Sequence, residues 1–248
     1  MTTAPFYFDW QFWSAVVALL ALLLSQLQPL HVLLRRPKLQ CEAFSRLHIT
    51  HKLGNPNAQW HLILENVGGR DIRVKAISLA LRRVDDQRFS LQAQNYLRTP
   101  DATEAVMLTP FRLKPGEEWA HVLNFFNMYS RDDDKEYRRL ESAVRTDILG
   151  RKELAQDKEV MCEAATASVE LAISFFKRHY KWEAGEYEVE LVVDTDFPGA
   201  NIRKRFRFSL FETEAGELKS YSDGYKFGAG VYWVSPSQPG IVVPIREK

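Results

Sequence analysis

Three arginines at alternate positions, Arg203, Arg205 and Arg207, are the most prominent chemistry-bearing residues of the chain. In a strand they share one face, while Phe206, Phe208 and Leu210 share the other. Such a stripe suits phosphates or anionic lipid. The segment before it carries the complement, because Glu186, Glu188 and Glu190 alternate with Tyr187, Val189 and Leu191. Folding the two segments about Asp196-Phe197-Pro198-Gly199-Ala200 sets glutamates opposite arginines, at about 0.2–1 kcal/mol per cross-strand pair. A neutralised ladder is the expected outcome.

Other charged residues are candidates for recognition. Arg82, Arg83 and Arg88, with Lys177 and Arg178 in the aromatic-basic run Phe175–Trp182, suit a small anionic ligand, a nucleotide or a nucleic acid. That run also reads as the last turn of a helix with its rings in the core. Arg70 and Arg73 beside Gly68-Gly69, the stretch Asp132–Arg139 and the stretch Tyr221–Tyr232 are candidate contacts for a protein partner. His48 and His51 are three residues apart and face opposite ways on a strand, so no metal site is expected there, even with His61 on the neighbouring strand. Asp132-Asp133-Asp134 lacks the spaced ligands and glycine of a calcium loop and suits a helix start after Ser130.

No Gly-x-Ser-x-Gly elbow, P-loop or Gly-x-Gly-x-x-Gly dinucleotide motif occurs. Neither a cofactor nor a catalytic residue is expected. The leading reading is a non-enzymatic protein that docks a protein partner or assembles a complex, as an oligomer in one version. A membrane-tethered sensor or effector binding nucleotide or nucleic acid is the second, and a hydrolase with an unrecognised site the third.

Composition narrows the class. Of 248 residues, 33 are Lys or Arg and 32 Asp or Glu, a net charge of +1 that excludes binding to nucleic acid through net charge. Hydrophobic types make up 46 % and charged types 26 %, which excludes a disordered chain. Two cysteines, Cys41 and Cys162, make no disulfide framework.

The apolar residues are concentrated at the start. Trp10 to Leu34 contains no charged residue, and as a helix would be roughly 37 Å long at ~1.5 Å per residue. A single transmembrane helix over 10–34 is expected, anchored by Trp10 and Trp13 at one interface and by Arg35, Arg36 and Lys38 at the other. The positive-inside rule then places residues 1–9 outside the inner or plasma membrane and the main domain in the cytoplasm. Ser14, Ala18, Ala21, Ser25 and Gln28 follow spacings of 4, 3, 4 and 3, the seam of an associating helix pair.

Beyond the basic linker 35–38 the periodicity becomes alternating, predicting strands over Leu39–Thr50, Trp60–Asn66 and Ile72–Arg82. On the third, Ile72, Val74 and Ala76 are expected on one face. Apolar spacing through Tyr137, Leu140, Val144 and Ile148 predicts a helix, ended by Gly150, within a helical insertion of about 131–176. The segment 220–248, rich in Gly, Pro, Ser and Tyr, is expected to pack on the domain 39–219 as irregular or edge structure.

Asn66-Val67-Gly68-Gly69 between strands, Lys114-Pro115-Gly116 before Trp119–Phe126, and Gly185-Glu186-Tyr187 opening a late strand resemble the turns of immunoglobulin-like and fibronectin-like β-sandwiches. The resemblance implies an all-β-dominated (α+β) chain: a β-sandwich with a helical insertion behind the membrane span. It is a likeness of turn chemistry and carries over no functional residues.

Overall fold

The computed structural model describes residues 10–26, 35–99, 102, 104–154 and 161–248, with the backbone alone for 23–26. Among them, four α-helices accompany a single 12-stranded antiparallel sheet, an α+β architecture that is mostly sheet. The strands are β1 (Leu39–Ala43), β2 (Arg46–Lys52), β3 (Asn55–Asn66), β4 (Ile72–Arg83), β5 (Arg88–Leu97), β6 (Ala105–Met107), β7 (Phe111–Leu113) and β8 (Glu118–Phe126). They continue as β9 (Gly185–Thr195), β10 (Ile202–Leu210), β11 (Ile241–Pro244) and β12 (Arg246–Glu247). The helices are α1 (Trp10–Gln26), α2 (Arg131–Leu154), α3 (Thr166–His179) and α4 (Glu212–Ser220).

The sheet order is β11-β2-β3-β8-β5-β4-β9-β10-β12, with β1 on β3, β6 on β5 and β7 on β4. The first and last strands of this order are parts of one chain segment. Residues 241–244 pair with Arg46–Ile49, and residues 246–247 pair with Phe206–Arg207. One short stretch therefore joins both margins of the sheet and curls it nearly into a barrel, consistent with the sandwich-or-barrel class. Alternation fills the inside: Leu47, Ile49, Trp60, Leu62, Leu64, Leu191 and Phe206 are buried. Trp60 of β3 meets Phe206 of β10 edge-to-face at 4.8 Å across the interior.

The expected membrane span is corrected. Among the described residues no helix is long and apolar enough to cross a membrane. α1 has 17 residues, about 25 Å at ~1.5 Å per residue against a hydrocarbon core of roughly 30 Å. The described helix covers Trp10–Gln26, fewer residues than the uncharged run Trp10–Leu34. Trp10, Trp13, Ser14, Ala18 and Ala21 are exposed on α1. Residues 1–9, the side chain of Ser25, and Gln28 with the rest of 27–34 lie outside the description.

Several local boundaries also differ from the sequence reading. Phe44-Ser45 interrupts the first strand, giving β1 and β2 in line along one edge of β3. An irregularity between Val74 and Ala76 shifts the register of β4, so Ile77, Leu79 and Leu81 turn inward while Ala76 is exposed. A bulge changes the phase of alternation without changing composition. α2 continues through Gly150 to Leu154, and α3 runs to His179. The C-terminal segment carries a 3-10 helix at Tyr221–Phe227 and then β11 and β12, the strands at the two margins of the sheet.

The helices close the barrel end that carries the β2–β3 turn. α2 buries Leu140, Val144 and Ile148, and α3 buries Ala172, Phe175 and Phe176. Gly54 has φ +83°, and a Cβ there would lie 2.6 Å from the Phe176 carbonyl oxygen, so glycine is required on both counts. Trp182 is fully buried and donates from Nε1 to the Thr50 carbonyl at 2.7 Å.

Candidate functional site

The ladder read from the sequence forms. Glu190 lies opposite Arg205 and Glu188 opposite Arg207 in the β9–β10 register. Arg205 and Arg203 approach Glu190 at 3.6 and 3.8 Å. Glu188 is shared differently from the register: one oxygen takes Lys248 at 2.6 Å and the other Arg82 at 2.5 Å. Hydrogen bonds from Lys248 and Arg82 push the Glu188 carboxyl down to about 2. Arg82 enters because β4 flanks β9 on its other edge, with Arg82 opposite Glu188. Lys248 enters because β12 brings the chain back alongside β10. No periodicity announces a two-residue strand, so the sequence concealed this partner.

Arg83 and Arg88 are likewise engaged. Arg83 makes a two-pronged bond with Asp85, whose carboxyl that interaction depresses to about 2. Arg88 contacts Asp86 at 2.6 Å. Arg82, Arg88, Glu188, Glu190 and Arg205 line an open depression of about 730 Å³. An anion entering it competes with carboxylates already in place.

The opposite barrel end is different, and a residue that sequence reasoning passed over organises it. Asn66 is buried at the end of β3, with every polar group occupied. Its Nδ2 donates to the carbonyls of Arg70 and Leu113, both at 2.8 Å, and its Oδ1 accepts from the Gly68 amide at 3.0 Å. Its backbone bonds Glu117 and Gly116. One side chain thus ties the β3–β4 turn to the β7–β8 turn. The available signal was Asn two residues before Gly, an Asx turn.

Residues 35–38 settle on this assembly. A Cβ at Gly68 would lie 2.5 Å from the Lys38 nitrogen and 2.7 Å from the Arg36 carbonyl oxygen, so the missing side chain is what lets the linker lie flat. Arg35, Arg36 and Lys38, with Gln40 and Val67, line a hollow of about 440 Å³. Arg35, Arg36 and Lys38 are exposed, and among the described residues no carboxylate lines the hollow and they have no ion-pair partner. Arg70 is exposed on the adjoining turn. Arg73 is exposed on β4, where its amide donates to Asp196 Oδ1 at 2.9 Å.

The remaining candidates are spread over the helical end. Lys177 is exposed, and Arg178 binds Glu136 at 2.5 Å and lies over the Phe175 ring. Phe175, Phe176, Tyr180 and Trp182 are buried, so the run 175–182 mostly holds α3 to the barrel. Tyr221 and Tyr225 are buried as well, which removes them from the contact surface expected over 221–232. Ser130 caps α2, its Oγ accepting from the Asp133 amide at 3.1 Å.

His51 is buried between Phe176, Tyr180 and Tyr221. Its Nε2–H donates to the Leu218 carbonyl at 2.7 Å, and Nδ1 accepts from the Gly54 amide at 3.2 Å. Burial pushes its pKa down to about 4, against the upward pull of the Leu218 bond. His48 faces the other way and contacts the Pro239 carbonyl at 2.6 Å. Burial pushes the Cys41 thiol up to about 12, so it is a poor nucleophile. Among the described residues no group of three or more His, Cys, Asp or Glu side chains could hold a metal ion.

Among the described residues, the cations presented outward therefore include ones paired with carboxylates on neighbouring strands and, at the Asn66 end, a cluster with no ion-pair partner. No family model matches the chain, and no curated protein matches it.

Proposed function

We propose that this protein is a non-catalytic docking module whose Asn66 end receives a negatively charged partner. The observation that carries the reading is the hollow of exposed Arg35, Arg36 and Lys38, lined among the described residues by no carboxylate. The backbone of residues 36–38 lies against Gly68, whose amide Asn66 holds, so the stem that carries these cations is positioned before a partner arrives. That lowers the entropy of docking relative to a loose basic tail. Arg70 and Arg73 extend the same end. The turn likeness to immunoglobulin-like sandwiches fits this reading, since a closed β frame with shaped loops suits recognition without chemistry.

An acidic protein segment is the partner proposed; the headgroups of an anionic bilayer offer similar charge and form the second arm of the test. In-cell crosslinking followed by mass spectrometry compares the full chain with the triple variant Arg35→Glu, Arg36→Glu, Lys38→Glu. The proposal expects crosslinks from the Asn66 end to an acidic protein segment, lost in the variant and in high salt. Binding of the full chain to phosphatidylserine vesicles with no such crosslink moves the partner to the bilayer. Crosslinks unchanged by the variant overturn the docking site.

A further inference from the structure

We propose that the outer face of β10 and β12 holds a binding site for a phosphate monoester, built on Arg207 and Arg246. These two residues are directly opposite one another in the β10–β12 pairing, so their side chains project from the same face. Like charges placed directly across strands are destabilising. The arrangement is unusual for this surface, where Arg82, Arg203, Arg205 and Lys248 all have carboxylate partners. The register offers Glu188 to Arg207, but both Glu188 oxygens are taken by Arg82 and Lys248. Among the described residues neither Arg207 nor Arg246 has an ion pair.

Arg207 and Arg246 line a hollow of about 400 Å³ with Glu186, Phe208, Ser209, Phe211 and Pro244. A tetrahedral dianion accepts forked hydrogen bonds from two arginines and relieves their mutual repulsion. Ser209 lies two residues beyond Arg207 on the same face of β10 and offers a hydroxyl. Glu186, cross-strand from Ser209, opposes a second anionic group and selects for one phosphate over a polyphosphate chain. Phe211 is 63 % exposed at the rim, a ring on which a flat ligand body can stack. The ligand class is thus a single phosphate ester on an aromatic or heteroaromatic body, a chemistry shared by nucleoside monophosphates and phosphotyrosine. This site is separate from the Asn66 end and stands or falls independently of the docking proposal.

Calorimetric titration of the full chain with phenyl phosphate, adenosine monophosphate and inorganic phosphate tests it. Both esters are expected to bind more tightly than inorganic phosphate, and whichever ester is tighter identifies the ligand body. Arg207→Gln and Arg246→Gln should each weaken ester binding by about tenfold or more, while Arg205→Gln on the same strand leaves it unchanged. Without ligand, the thermal midpoint of both glutamine variants should hold or rise, since a repulsion is removed. Absence of binding, equal binding by the variants, or inorganic phosphate matching the esters would overturn the site. A fall in the unliganded midpoint of both variants would assign the arginines a structural role instead.

Discussion

The two ends of the barrel use polar residues in opposite ways. At the end carrying the β2–β3 turn, polar groups are consumed internally. His51, Trp182, Tyr180 and Tyr187 each bond a backbone carbonyl of a neighbouring segment, and aromatic rings fill the remaining space. At the other end Asn66 consumes the backbone groups of two turns, and the charged side chains are left outside. The first arrangement fixes helices to sheet. The second fixes a surface while leaving its charge unspent, and that difference separates a stabilising end from the one proposed to receive a partner.

The comparison makes graded demands. Trp182→Ala removes a fully buried ring and an indole bond at the helical end, and should cost about 3–5 kcal/mol in chemical denaturation. Arg35, Arg36 and Lys38 keep their charge in that variant, so partner capture should survive wherever the protein remains folded. If it is lost with the fold intact, the two ends are not separable.

Acid should act mainly on the helical end. His51 has a folded-state pKa pushed down to about 4 against an ordinary 6.5, so the unfolded chain takes up its proton first as pH falls. Stability is fully present above pH 6.5 and declines between 6.5 and 4, by about 3 kcal/mol for this group. His51→Gln should flatten the stability curve across that window. A wild-type curve already flat there would remove His51 from the account of acid sensitivity.

Gly68→Ala probes the end proposed for docking. Its Cβ would collide with the backbone of residues 36–38, at a cost of about 1–3 kcal/mol. Its larger signature should be weaker partner binding, because the cationic linker is displaced. Binding equal to wild type would mean that the linker position is irrelevant to docking. Glu188→Gln should change stability least, because its ion pairs are exposed to solvent; a large loss would show that the ladder is more than surface neutralisation.

Much of this was legible in the sequence, for identifiable reasons. The β9–β10 ladder has strict alternation and a local turn, so its register and the pairing of Glu190 with Arg203 and Arg205 follow from spacing, whereas the partners of Glu188 do not. The start of α2 was marked by Ser130 and three aspartates. What escaped depended on distance or irregularity. The phase change near Val74 leaves no compositional trace. Lys248 reaches Glu188 across 60 positions of sequence. Asn66 looked like one turn residue among several, since its two acceptors belong to separate loops. The apolar stretch at the start showed length and hydropathy, yet no helix among the described residues is long and apolar enough to cross a membrane. The arginine pair was half visible: Arg207 belonged to the stripe, yet its opposite number sits on a strand too short to read.

The return of residues 241–247 to both margins of the sheet also bears on synthesis. β2 emerges early, yet its outer edge is matched by β11 almost two hundred positions later. Until that partner leaves the ribosome, the nascent chain exposes two unsatisfied strand edges, the kind of surface that recruits other chains. Such high contact order predicts slow maturation, with ring closure among the final steps. A cell making this protein would have reason to shield it during translation.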